Sequence, residues 1–109
     1  MRFQFVTFRN GVSALHLAAT MGKLQSVSIL VNHSRTDIDC VDSQQRSPLH
    51  YTCGMGHVEV VKELLRVSTK SIDALDVNCC SPFGSAVQRR HLTIAKHLLQ
   101  LTSLSSICW

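Results

Sequence analysis

A chain of 109 residues with 45% apolar and 17% charged side chains is long enough to bury one core, and that balance excludes a disordered chain. Eleven Lys and Arg against seven Asp and Glu leave a formal charge of +4, and residues 1–36 hold Arg2, Arg9, Lys23 and Arg35 without an acid. No apolar run approaches the roughly 18 residues that a membrane helix needs.

In chain order, residues 1–10 carry Phe3, Phe5 and Phe8 and read either as a strand-like lead-in or as non-repeat sequence covering the first repeat. Gln4 and Thr7 interrupt them, so they lack the apolar run of about 7–15 residues of a secretory signal. An intracellular address is expected, cytoplasmic ahead of nuclear. Ser13-Ala14-Leu15-His16-Leu17-Ala18-Ala19, followed by Gly22, opens the first regular unit. Residues 46–65, RSPLHYTCGMGHVEVVKELL, give the fullest version of it. Ser47 suits a helix N-cap, because its hydroxyl can accept from an unpaired first-turn amide. Pro48 then stands at the first helical position, where its missing N–H costs nothing. Leu49, Tyr51, Thr52 and Cys53 carry a short helix that Gly54 and Gly56 bring to a stop. Val58, Val61, Leu64 and Leu65 form an apolar stripe on a second helix, with Glu59, Lys62, Glu63 and Arg66 facing away. Ser81-Pro82-Phe83-Gly84 opens a third unit. Trp109 and Ile107 then end the sequence without the polar outer face usual for a terminal repeat. A piece of a longer array, or a chain stabilised by a partner, is the expectation.

The three openings begin at residues 13, 47 and 81, 34 residues apart each time. The second helices keep that register: Val27 aligns with Val61 and Ala95, Leu30 with Leu64 and Leu98, and Val31 with Leu65 and Leu99. Each helix pair is too small to bury its own stripe, so the units are expected to stack as a solenoid. The aromatic and Gly landmarks of the tetratricopeptide repeat cannot be placed. The chain instead resembles the ankyrin repeat, whose T-P-L-H motif stands nearly intact as Ser47-Pro48-Leu49-His50. Ile38-Asp39 and Ile72-Asp73 fall at that family's Val-Asn pair, and Asp42 and Asp76 at its hairpin Asp. The resemblance covers residues 9 to 101. It implies an all-α, ankyrin-type helical solenoid of paired antiparallel helices joined by β-hairpin-like loops. One domain over 1–109 is expected, with copies at about 9–42, 43–76 and 77–109.

The departures are local. One extra residue falls in the loops around Ser34-Arg35-Thr36 and Ser68-Thr69-Lys70, which also lack the Gly that usually closes the second helix. The hairpin Gly is kept as Gly11 but replaced by Gln45 and Cys79. If those positions still need φ > 0, each replacement costs about 1 kcal/mol. In the third copy Gly84 replaces the motif His and Arg90 the Gly between helices.

Candidate chemistry is sparse. The five cysteines (Cys40, Cys53, Cys79, Cys80 and Cys108) are odd in number and show no disulfide framework. Cys79 and Cys80 are neighbours, with Cα atoms about 3.8 Å apart, tighter than a disulfide favours. His50 and Cys53 share a helix face with His57 just beyond. Structural zinc wants four ligands, however, and no fourth is in register. The resemblance gives His50 a different role, a hydrogen bond tying neighbouring loops together, and gives Cys53 a core position. A Cys–His nucleophile lacks an orienting third group. No phosphate-cradling loop is present, since Gly54-Met55-Gly56 follows a helix rather than a strand. No catalytic, cofactor or metal site is assigned.

Binding remains, and the expected function is a non-catalytic protein–protein interaction module or scaffold. By resemblance, the partner-facing residues are the hairpin tips Arg9, Asn10 and Val12, then Ser43, Gln44 and Arg46, then Val77, Asn78 and Cys80. The exposed helix ends add Thr20 and Met21, Gly54 and Met55, and Gln88 and Arg89. The alternative is a nucleic-acid-associated regulator using the basic residues at the ends of the stack. The positive residues are spread out, however, without the aromatic interleaving of a base-stacking surface.

Overall fold

The computed structural model describes residues 11–33 and 36–102. They form six helices: α1 (Ala14–Met21), α2 (Leu24–Val31), α3 (Pro48–Met55), α4 (Val58–Val67), α5 (Pro82–Gln88) and α6 (Leu92–Thr102), with a 3-10 turn at Lys70–Asp73 before α5. Each odd-numbered helix is followed after a tight turn by its even partner, which returns alongside it. The pairs stack in phase. α3 packs between α1 and α5 in one row, and α4 packs between α2 and α6 in the other. The stack is longest along one axis, 39 Å against 26 and 23 Å.

The starts repeat because the same chemistry repeats. Ser13, Ser47 and Ser81 hold extended φ/ψ and accept from the amides of His16, His50 and Gly84. Leu15, Leu49 and Phe83 occupy equivalent places one residue into the three inner helices. Leu15 and Leu49 are fully buried, and Phe83 packs half-buried against the same core. Val27, Val61 and Ala95 follow as a second buried ladder, and Leu64 and Leu98 as a third. Each fully buried Leu or Val contributes about 1.5–3 kcal/mol, so the interfaces between units, not the helices alone, hold the chain.

Three expectations for the helices need correction. The buried stripe of α4 includes Val60, and Ile94 fills the equivalent place in α6. Glu63 does not face freely outward: its side chain is largely covered, accepting from Ser28 Oγ at 3.3 Å and pairing with Arg66 at 2.7 Å. Gly54 does not stop α3, which runs to Met55. The stop is Gly56, left-handed at φ 81°.

The hairpin loops are built on one carboxylate each. Asp42 Oδ1 accepts from the amides of Gln44 and Arg46, and Asp76 Oδ1 from those of Asn78 and Cys80, all at 2.8–3.0 Å. The turn returns the chain through a left-handed residue. Gly11 takes it at φ 76°, but Gln45 and Cys79 take it at 62° and 60° without being glycines. Arg90 does the same at 62° between α5 and α6. Where the second helix lacks a closing Gly, the longer loop supplies bonds instead. The Ser68 amide caps the Leu64 carbonyl, and the hydroxyls of Ser68 and Ser71 reach back to Asp39 at 2.9 and 2.6 Å.

Candidate binding groove

The repeat register places side chains three deep along the inner helices: Leu17, Tyr51 and Ser85 in one row, Thr20, Gly54 and Gln88 in the next, and Met21, Met55 and Arg89 in the third. Centred between the second and third units, with Thr20 of the first at its edge, a cleft of about 510 Å³ is lined by members of these rows and by the hairpins. Eight of the residues expected to face a partner are gathered there. Thr20, Gly54, Met55, Gln88 and Arg89 come from the helices, and Arg46, Asn78 and Cys80 from the hairpins. Ser43, Gln44 and Val77 lie at the exposed tips outside the cleft, where the Val77 amide donates to the Gln44 carbonyl at 3.0 Å. Met21 is exposed beyond one end and Val12 is half-buried. Arg9, Asn10, Cys108 and the lead-in and terminal segments lie outside the described residues.

Four residues of the cleft were not among those expected to face a partner: His50, Tyr51, Asp76 and Ser85. Tyr51 carried a usable signal, since it lies four residues before Met55 and therefore on the same helix face. Its hydroxyl donates to Asp42 Oδ2. Burial pushes the Asp42 carboxyl up, but the Tyr51 hydroxyl and the Arg46 and Gln44 amides outweigh it and hold the group below the usual range. Burial and that carboxylate together raise the Tyr51 phenol. Asp76 is similar: burial raises it, while the Cys80 and Asn78 amides and the nearby His50 and Arg46 bring it below normal. Both carboxylates are therefore charged and internally satisfied.

Arg46 sits over this floor. Its guanidinium lies 5.9 Å from the Tyr51 ring centroid, and its Nε is 3.5 Å from Asp76 Oδ2. The His16 ring meets Tyr51 edge-on at 5.6 Å. His16 Nδ1 accepts from the Ser13 amide at 3.1 Å, so Nε2 carries the proton and donates to the Arg46 carbonyl at 2.8 Å. His50 repeats this between Ser47 and the Cys80 carbonyl at 3.1 Å, the loop-tying bond that the resemblance implied. Gly84 lacks the ring and keeps only the cap.

This repeated Ser–His–carbonyl device, with the hairpin carboxylates and the 34-residue register, has a counterpart in known sequences. The family model described as ankyrin repeats (3 copies) matches residues 15–106. The chain belongs to the ankyrin-repeat family. No curated protein matches it. Ankyrin repeats generally mediate protein–protein interaction, and the family is generally non-catalytic.

Within this ankyrin stack the residues weighed for metal chemistry do separate jobs. His50 spends both ring nitrogens on the loops, and His57 donates to the Thr20 carbonyl at 2.9 Å. Cys53 is fully buried, which pushes its thiol up to about 12 and leaves it without nucleophilic thiolate near neutrality. Among the described residues no group of three or more His, Cys, Asp or Glu is placed to hold a metal ion, and no helix is long and apolar enough to cross a membrane.

Proposed function

We propose that this ankyrin chain is a non-catalytic module that holds a partner protein in the cleft between its second and third units. The observation that carries the reading is the fixing of Arg46. Its carbonyl accepts from His16, its guanidinium lies over Tyr51, and its Nε faces Asp76. A cationic side chain held on two counts, on a backbone tied down by a third contact, loses little further freedom when it meets a ligand, and that preorganisation favours binding. Met55, half exposed beside it, supplies an adaptable apolar contact of a kind enriched at interfaces.

The test compares the parent chain with Met55→Ala/Arg89→Ala in pull-downs followed by mass spectrometry, with circular dichroism as the folding control. A protein retained by the parent and lost by the equally folded variant supports the groove. Equal retention by both removes it. Salt separates the nucleic-acid alternative, because a phosphate-driven contact weakens log-linearly and steeply between 50 and 200 mM salt.

A further inference from the structure

The cleft, together with the exposed surface of the first unit that continues its rows, differs in chemistry from end to end. In the row Met21, Met55, Arg89, the first two positions are large apolar side chains, 64% and 50% exposed, and the third is an arginine. In the neighbouring row Leu17, Tyr51, Ser85, the apolar member is again in the first unit and the small polar one in the third. Leu17 is 42% exposed. Charge follows the same axis. The cleft holds Arg46 and Arg89, and its carboxylate, Asp76, is consumed by two hairpin amides and by Arg46. Arg89 has no ion-pair partner among the described residues.

We infer that the groove takes an extended protein segment in a fixed orientation, with an Asp or Glu at Arg89 and apolar side chains at Met55 and then at Met21 and Leu17. This rests on the groove being the binding face. Packed helices lie about 8–10 Å apart, so Met55 is about one such step from Arg89 and Met21 about two. An extended chain in the polyproline II form rises about 3.1 Å per residue and brings every third side chain back to the same face. The apolar residues should therefore fall about three and six positions from the acid. The acidic end supplies specificity, since a carboxylate can take the planar guanidinium fork in two parallel bonds. The apolar end supplies contact area on flexible Met side chains.

The probe is a phage-displayed library of random twelve-residue peptides panned against the full chain, with the winners remeasured by fluorescence anisotropy. The expected consensus is one acidic residue with apolar residues about three and six positions away on one side. Arg89→Glu should weaken the winning peptide at least tenfold, and a Lys in place of the peptide's acid should recover binding to that variant alone. Met21→Asp should weaken the full peptide but not one truncated at its apolar end. Winners that are lost with Met55→Asp yet show no acidic preference and ignore Arg89→Glu would overturn the polarity while leaving the groove. Winners indifferent to Met55→Asp and Arg89→Glu alike, or no winners at all, would overturn both.

Discussion

His57 donates from Nε2 to the Thr20 carbonyl across the boundary between the first and second repeats. In the next pair His91 donates to the Gly54 carbonyl at 3.1 Å. Each ring also rests on the glycine that ends the preceding inner helix. A Cβ on Gly22 would stand 2.7 Å from the His57 ring, and one on Gly56 2.7 Å from that of His91. These glycines therefore serve two needs at once, a left-handed φ and room for a neighbour's imidazole.

Gly56→Ala is accordingly expected to cost about 2–3 kcal/mol. Left-handed strain on an L-residue contributes about 1–2 kcal/mol, and the displaced His91 bond about 0.5–1.5 kcal/mol. In a His91→Ala background only the strain should remain, giving a coupling of about 1 kcal/mol in a double-mutant cycle read from urea unfolding. Additive costs would show that the ring and the glycine do not constrain each other.

The opposite change should stabilise. Gln45, Cys79 and Arg90 hold φ near 60° with exposed side chains, so a glycine there loses no packing. Relief of about 1–2 kcal/mol of strain, less about 0.5–1 kcal/mol of extra chain entropy, leaves a gain of about 0.5–1 kcal/mol per site. Urea midpoints of Gln45→Gly, Cys79→Gly and Arg90→Gly should all rise at unchanged slope. A fall at any site would mean that its side chain contributes more than its strain costs.

Much of the fold was legible because it is written three times. Ser at each cap and Leu or Phe two residues on recur at a fixed spacing, as does Asp before the second and third hairpins, and each has a local mechanism. The left-handed demand at Gln45 and Cys79 could be read because Gly11 stands in register with them. What escaped depends on another repeat's backbone. The acceptors of His57 and His91 are carbonyls, which carry no residue signature, although the 34-residue spacing of the two histidines was there to be seen. Glu63 looked exposed by helical period, but Ser28 of the neighbouring repeat reaches it. The rows of the groove followed from register alone. The link from Arg46 to Asp76 needed the two hairpins placed side by side.

Acid should loosen the stack in two steps. Burial is the main cause holding His16 and His50 below the ordinary value of 6.5, only partly opposed by their bonds to carbonyls and by Asp42 and Asp76. With the folded value lowered, the unfolded chain takes up protons first. The stability from the neutral rings is complete above pH 6.5 and is lost as pH falls below it. A proton on Nδ1 would face the Ser13 or Ser47 amide that it now accepts from. Asp42 and Asp76, also lowered, add a second loss as pH falls below about 3.8. Urea midpoints should drop from pH 7.5 to 5, and less steeply in His50→Gln. A flat profile would remove the buried histidines from the account.

Cooperativity gives the last expectation. Leu49 is 3% exposed in the middle repeat, and both repeat–repeat interfaces meet there. Truncating a buried Leu to Ala costs about 2–5 kcal/mol, against a total near 5–15 kcal/mol for a domain of this size. With two interfaces among three repeats, no outer repeat can keep its structure once the middle one opens. Leu49→Ala should lower the melting temperature by about 10 °C or more, with the helical signal lost in one transition. A melt that splits in two, or stays near its original midpoint, would show that the outer repeats hold themselves without the middle one.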